Sequence, residues 1–419
     1  MLKAAALHLA IIISLIITLI LGSMLYLAFF FRDQTARFNR YDLLQQELEA
    51  GVTIMQTLDF PYTSGDSVLH SVLYSGDSIS VNKQQWGIFD IGYVRSYIQK
   101  DTLQRAFMMG IPLQDSLVLY VADEDRPISV SGKTDIVGNV QLPKAGIHPA
   151  YVDGKYYSGH KDIVQGKKKD SERQLPKLQK KRLDHIQQLY DLLDNEDLAS
   201  IPSGSLKESF YRSAAQYRSM EALKLTADSI SGHVILVVDS TLHISSNSAI
   251  HNAIIVARSI HIEKGFKGSA QFFALDSIMV EDEVHLQFPS VLGIVKSPKE
   301  DSRPQIRIGK KCRIEGTVFY YEDKRSPVPA VVSVGKESII SGDMLVYGML
   351  QYDKPVQFIG TTYCYRFLVK TPASIYENFL IDLTLDRKKL SPYYLRSFLW
   401  DPAQKTVSAS LLQSLNNGQ

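Results

Sequence analysis

Residues 242–292 read LHISSNSAIHNAIIVARSIHIEKGFKGSAQFFALDSIMVEDEVHLQFPSVL and carry a repeat of six. Every sixth residue and its neighbour two further on form a pair: Leu242 and Ile244, Ser248 and Ile250, Ile254 and Val256, Ile260 and Ile262, Phe266 and Gly268, then Phe272 and Ala274, Ile278 and Val280, Val284 and Leu286, Ser290 and Leu292. The pattern resumes at Ile306 and Ile308, Cys312 and Ile314, Val318 and Tyr320, and again at Val332 and Val334, Ser338 and Ile340, Met344 and Val346. A separate earlier copy runs Ile128 and Val130, Thr134 and Ile136, Val140 and Leu142. Of these 36 positions 31 are apolar, against about 16 at the chain's 45% apolar composition, and the exceptions are all small.

Residues between the members of each pair are apolar only at the background rate, so two side chains of each short strand point inward and the one between points out. Three six-residue faces make an 18-residue turn. Antiparallel strands also alternate, but nothing in them preserves the phase over nine hexads and restores it after each interruption. Stacked turns do, because each buries its inner face only against its neighbours. The expected fold is therefore mainly β, a parallel β-helix (solenoid) with triangular rungs, from which insertions leave at corners near 297–304 and 322–329.

Outward from this core, residues 4–31 carry no charge and would form a helix of roughly 42 Å, longer than a ~30 Å hydrocarbon core. The bulky exit Leu25-Tyr26-Leu27-Ala28-Phe29-Phe30 lacks a small-x-small cleavage pattern, so the segment is expected to stay attached. Tyr41, Leu44, Leu48, Gly51, Met55 and Leu58 alternate spacings of three and four, which predicts an amphipathic stalk ending near Pro61. The boundaries that follow are a transmembrane helix over 1–31, a stalk over 32–60, a small β-rich module over 61–125 with a helical candidate at 93–109, and first rungs over 126–160. Beyond them come a charged helical insertion over 161–225, the main β-helix over 226–370 and an aromatic C-terminal cap over 371–419.

Two resemblances follow. Ile136-Val137-Gly138, Ile314-Glu315-Gly316 and Ile340-Ser341-Gly342 place glycine at corners, and with the hexad period this resembles the bactofilin-type, polymer-forming β-helices of bacteria over about 126–160 and 228–350. That likeness implies a nucleotide-independent scaffold that self-associates end to end, often at membranes. The front end resembles the long first helix of pilins and pseudopilins in plan, without their processing signal, which implies a soluble part on the non-cytoplasmic, periplasmic side. Charge alone leaves orientation open, since Lys3 faces Arg32, Arg37 and Arg40 offset by Asp33.

Lys and Arg number 46 against 44 Asp and Glu, so no global field draws in nucleic acid. Cys312 and Cys364 are too few for a disulfide framework or a zinc site. Phosphate loops, dinucleotide fingerprints, nucleophile elbows and His-Glu-x-x-His pairs do not occur. Residues one turn apart are neighbours, so His243 should stack beside His261, a pair that could bind metal but is more simply a solvated face. Glu281-Asp282-Glu283 resembles the carboxylate clusters of β-helical polysaccharide lyases; consecutive carboxylates diverge, and a solvent-facing turn is the simpler reading. His251 and His285 are the residues an acyltransferase reading would use. Nine basic residues over 161–182 against three acidic ones could meet anionic lipid or a glycan, although a solvated loop explains them as well.

The sharpest surface feature is the third outward column, where Gln141, Ile255, Phe273, Val291, Phe319 and Leu345 should share one face. Five are apolar, so Ile255, Phe273, Val291, Phe319 and Leu345 form the candidate interaction surface unless the helix expected around Leu183 to Leu193 covers it. No catalytic, cofactor or metal residue is assigned. The expected function is a membrane-anchored, non-catalytic scaffold whose β-helix docks a protein partner or self-associates; the alternatives are a carbohydrate-active or acyl-transfer enzyme on the same fold, or a pilin-like subunit of an envelope assembly.

Overall fold

A computed structural model describes residues 2–57, 60–63, 67–70, 73, 78–98, 100–113, 115–202, 204–296, 303–371, 374–400 and 408–415. Strands take 51% of the chain and helices 17%, so the fold is mainly β. It divides into two compact units, one of residues 1–55, 63–82 and 93–105, the other of residues 56–62, 83–92 and 106–419.

In the first unit one helix, α1 (Leu2–Met55), is long and apolar enough over its first half to cross a membrane. Side chains over 6–31 are all exposed. The stalk half behaves differently: Leu44, Leu48, Val52 and Met55 are buried, while Tyr41 stays exposed. Gly51 permits this packing, because a Cβ there would lie 2.6 Å from the Val94 side chain. The Leu44 carbonyl accepts a 2.8 Å hydrogen bond from Ser96 Oγ. Arg40–Asp101 at 2.9 Å and Arg105–Glu49 at 3.1 Å flank the contact. Leu58 lies outside the described residues. The helix expected at 93–109 is instead part of two strands, Phe89–Ile98 and Asp101–Pro112. Apolar residues in that stretch satisfy a helical spacing, but over 93–105 the extended form is the one that packs Val94 and Ser96 against α1.

The second unit is a wound parallel sheet. Strand Val234–Ile244 lies parallel to Ala249–Ile262, which lies parallel to Lys267–Val280, and His243 registers with His261, His261 with Met279. Lys267–Val280 pairs with both His285–Val295 and Gln305–Ile308, and the winding continues through Arg313–Tyr321, Ile339–Tyr352 and Val356–Lys370. Every paired position named from the sequence is buried, Phe266 and Ile278 included. At the three Ile-x-Gly corners φ is 139° at Gly138, 142° at Gly316 and 136° at Gly342. At Gly316 a Cβ would also sit 2.0 Å from the Ser290 carbonyl oxygen, so no other residue fits that corner.

The early copy and the main repeat form one winding. Phe379–Ile381 registers with Ile128–Ser131, Leu383–Asp386 registers with Val356–Lys370 on one side and Asp135–Val137 on the other, and Thr362 to Cys364 pair with Leu119 to Val121. The segment expected to cap an end therefore supplies interior strands. Among the described residues, Val164–Gln165 and Lys168–Asp170 register only with Asp135–Val137 and Asn139–Leu142, and so make one extreme of the winding. Ala199–Ser200 and Leu206–Glu208 make the other. Helix α2 (Lys180–Asp191) lies in the chain between these extremes.

Candidate functional site

The five residues of the candidate interaction surface, Ile255, Phe273, Val291, Phe319 and Leu345, are all 0% exposed. They also do not share one row. Phe273, Phe319 and Leu345 align through Gly293, but Ile255 registers with Phe272, an inner position, and Val291 with Gln271 and Thr317. Two local shifts break the row: one between His251 and Ala253, around Asn252, whose φ of 59° turns the chain and uses up one residue of the hexad, displaces Ile255, and another after Gly268 and Leu286 displaces Val291. Where the row meets Gly293, the missing side chain lets Phe273 and Phe319 approach edge to face at 6.3 Å; a Cβ there would fall 2.3 Å from the Phe319 ring.

The cover over this face is internal. Tyr190 of α2 donates a 2.9 Å hydrogen bond to the Ala274 carbonyl and accepts one of 3.2 Å from the Val295 amide. Ile186, Leu189 and Leu193 are buried alongside it. Further along, Tyr363 stacks on Tyr120 at 5.6 Å and meets Trp400 at 4.6 Å, so the aromatic tail lies on the flank of the winding. Tyr394 and Phe398 are buried there, whereas Tyr393 is exposed. The row is core, and no partner is required to shield it.

The histidine and acid candidates fall where the period places them. His243 and His261 have ring centroids 5.0 Å apart, and Met279, Arg307 and Ser333 continue the same row. A carboxylate from outside that row reaches it: Glu281 Oε1 lies 2.8 Å from His261 Nε2. The acidic corner diverges. Glu281 turns to His261, Asp282 Oδ1 accepts the Lys310 amide at 2.7 Å, and Glu283 faces Lys264 at 3.4 Å. Among the described residues no three His, Cys, Asp or Glu side chains converge as metal ligands. Burial pushes the Cys312 thiol up to about 11, which makes it a poor nucleophile.

The basic stretch does not act as one patch. Lys168–Asp170 is an exposed strand, Arg173 pairs with Asp125 at 3.0 Å, and Arg182 is fully buried. Arg182 Nη2 donates to Asp90 Oδ1 at 2.6 Å and to the Tyr62 hydroxyl at 3.1 Å, while Nη1 donates to the Phe89 carbonyl at 2.9 Å. Burial, then the Asp90 charge, pushes the Tyr62 hydroxyl up to about 12. Burial draws the Lys83 ammonium down against the pull of Asp90. A second buried pair joins Arg396 to Asp343 through two 3.1 Å bonds, with Thr361 Oγ1 accepting another at 3.0 Å. Burial pushes the Asp343 carboxyl up, and the Arg396 guanidinium opposes that shift. Neither pair was visible in the sequence, because the partners lie 92 and 53 positions apart and carry no motif. Each joins a flanking segment to the rest of the second unit.

One outer flank of the winding remains open as a groove of about 570 Å³, with Ser231, His251, Ser269 and Gln287 among its lining residues. No family model matches the chain, and no curated protein or solved structure is significantly similar to it.

Proposed function

We propose that this chain is a membrane-anchored, non-catalytic scaffold: α1 holds it in a bilayer, and a β-solenoid with triangular rungs of about 18 residues presents its flank to a partner on the non-cytoplasmic side. The observation that carries the reading is the change of character along α1. Leu7, Leu15, Leu19 and Leu25 are 66%, 66%, 71% and 73% exposed, whereas Leu44, Leu48 and Met55 of the same helix are buried at 2%, 6% and 0%. An apolar surface of that extent needs lipid, and the charged, packed half needs water.

The winding itself supports a scaffold. Its inner positions are apolar or small, and the outer apolar row is closed by α2 and the tail, so partner contacts fall on polar flank. The resemblance to bactofilin-type scaffolds agrees with this, but the extremes of the winding favour docking over end-to-end polymerisation. They are strands of two and three residues, one of them Lys168–Asp170 with two lysines. Short, charged edges resist the addition of another copy.

Membrane retention is tested by washing membranes from cells making the full chain with alkaline carbonate. The protein stays in the pellet, and Leu15→Asp with Leu19→Asp releases it; recovery of the unaltered chain in the wash overturns the reading. A reporter fused after Gln419 that folds only outside the cytoplasm becomes active.

A further inference from the structure

We infer that the open flank of the winding is a binding groove for a neutral, linear glycan, built from a ladder of hydroxyl, imidazole and amide side chains on successive turns. Lys207 registers with Ser231, Ser231 with His251, and His251 with Ser269. At ~4.8 Å between parallel strands, these four positions make a straight floor of roughly 14 Å. Gln287 follows the Gly268–Leu286 register pair and extends the floor, and Asn252 and Gln413 line its sides. His251 Nδ1 lies 3.3 Å from Ser269 Oγ, which ties neighbouring steps together.

The chemistry of the floor selects the ligand. Ser hydroxyls, Asn and Gln amides and imidazole each present both a donor and an acceptor, the combination that sugar hydroxyls require at every step. A sugar ring is about as long as one step of the ladder, so a linear chain can repeat its contacts from turn to turn. The neighbouring outer row is unlike this one: it carries Lys267, His285 and Arg313. Among the described residues the charges lining the groove are Lys207 and Glu208, of opposite sign, so an acidic polymer gains no net attraction from them. Half-buried Phe288, its ring 5.1 Å from Tyr394, offers an apolar surface for the C–H face of a sugar. An extended peptide fits less well. The strands carrying Ser231 and His251 already pair in parallel on both sides, and the edge at Leu206–Glu208 is only three residues long, which leaves little for backbone addition.

This inference rests on the scaffold reading only in naming what the scaffold holds. It is tested with the full chain in lipid nanodiscs, using maltohexaose, cellohexaose and N-acetylchitohexaose as neutral probes, with hexagalacturonate and an unstructured Gly-Ser peptide as comparators. Calorimetry is expected to show binding of at least one neutral hexasaccharide, weakened tenfold or more by Ser231→Glu and by His251→Ala and retained in Ser231→Thr, with circular dichroism unchanged in all three. Absence of binding by every neutral probe, preference for the acidic or peptide comparator, or binding indifferent to both disruptive variants overturns it. A chain that stays in the carbonate-washed membrane yet binds no sugar keeps the scaffold reading and loses this one.

Discussion

His185 sits one helical turn beyond Arg182, and its surroundings set its chemistry. Burial, followed by the Arg182 charge, lowers its pKa from 6.5 to about 4. The unfolded chain therefore takes up a proton near pH 6.5, while the folded chain refuses it until near pH 4. Between those values the unfolded state binds more protons, so stability present above pH 6.5 is lost as pH falls to about 4, by up to about 3 kcal/mol. Urea unfolding at pH 7 and pH 5 should show this loss, and His185→Gln should flatten it; an equal slope in the variant would exclude His185 as the cause. Nothing in the sequence marks the position, because helical spacing puts Arg182 and His185 beside other polar residues. Their burial depends on a segment more than 90 positions earlier, at Asp90.

Helix α2 was legible from its apolar spacing, and so was the need for a cover over the outer row. The positions paired from the sequence are all buried, since alternation and the six-residue step are local and repeat many times, but the pairs 254/256 and 272/274 do not align and the turns over 356–386 were not read. What could not be read was the slip at Asn252, because one residue spent on a left-handed corner leaves composition and alternation unchanged. The strands at 93–109 were missed for the opposite reason: a run such as Ala106-Phe107-Met108-Met109, buried throughout, has no period to report. The groove escaped notice because its serines and glutamine come from separate turns and are ordinary one at a time. The cover makes its own prediction. Tyr190→Phe leaves the Val295 amide without its partner in a dry site and should cost about 1–3 kcal/mol in a thermal or urea melt. Tyr190→Ala should also raise binding of a hydrophobic dye, as Phe273 and its neighbours come into reach of water; unchanged dye binding would show that the row is sealed by something else.

For the whole molecule, the decisive feature is that residues 379–386 lie between turns that are far apart in the chain. Leu385 registers with Phe358 on one side and Ile136 on the other, and Thr134 Oγ1 donates to the Leu380 carbonyl across 246 positions. A chain ended after Lys370 should keep amide-exchange protection over 234–352 and lose it over 117–170; a true end cap would give the reverse, fraying only the turns nearest the cut. Synthesis runs in the other direction. About 240 further residues are made after the strands at 128–137 before residues 379–386 arrive to flank them on that side, and such distant contacts form slowly. Strands made early in synthesis thus lock late, which ties closure of this part of the winding to the arrival of residues 379–386.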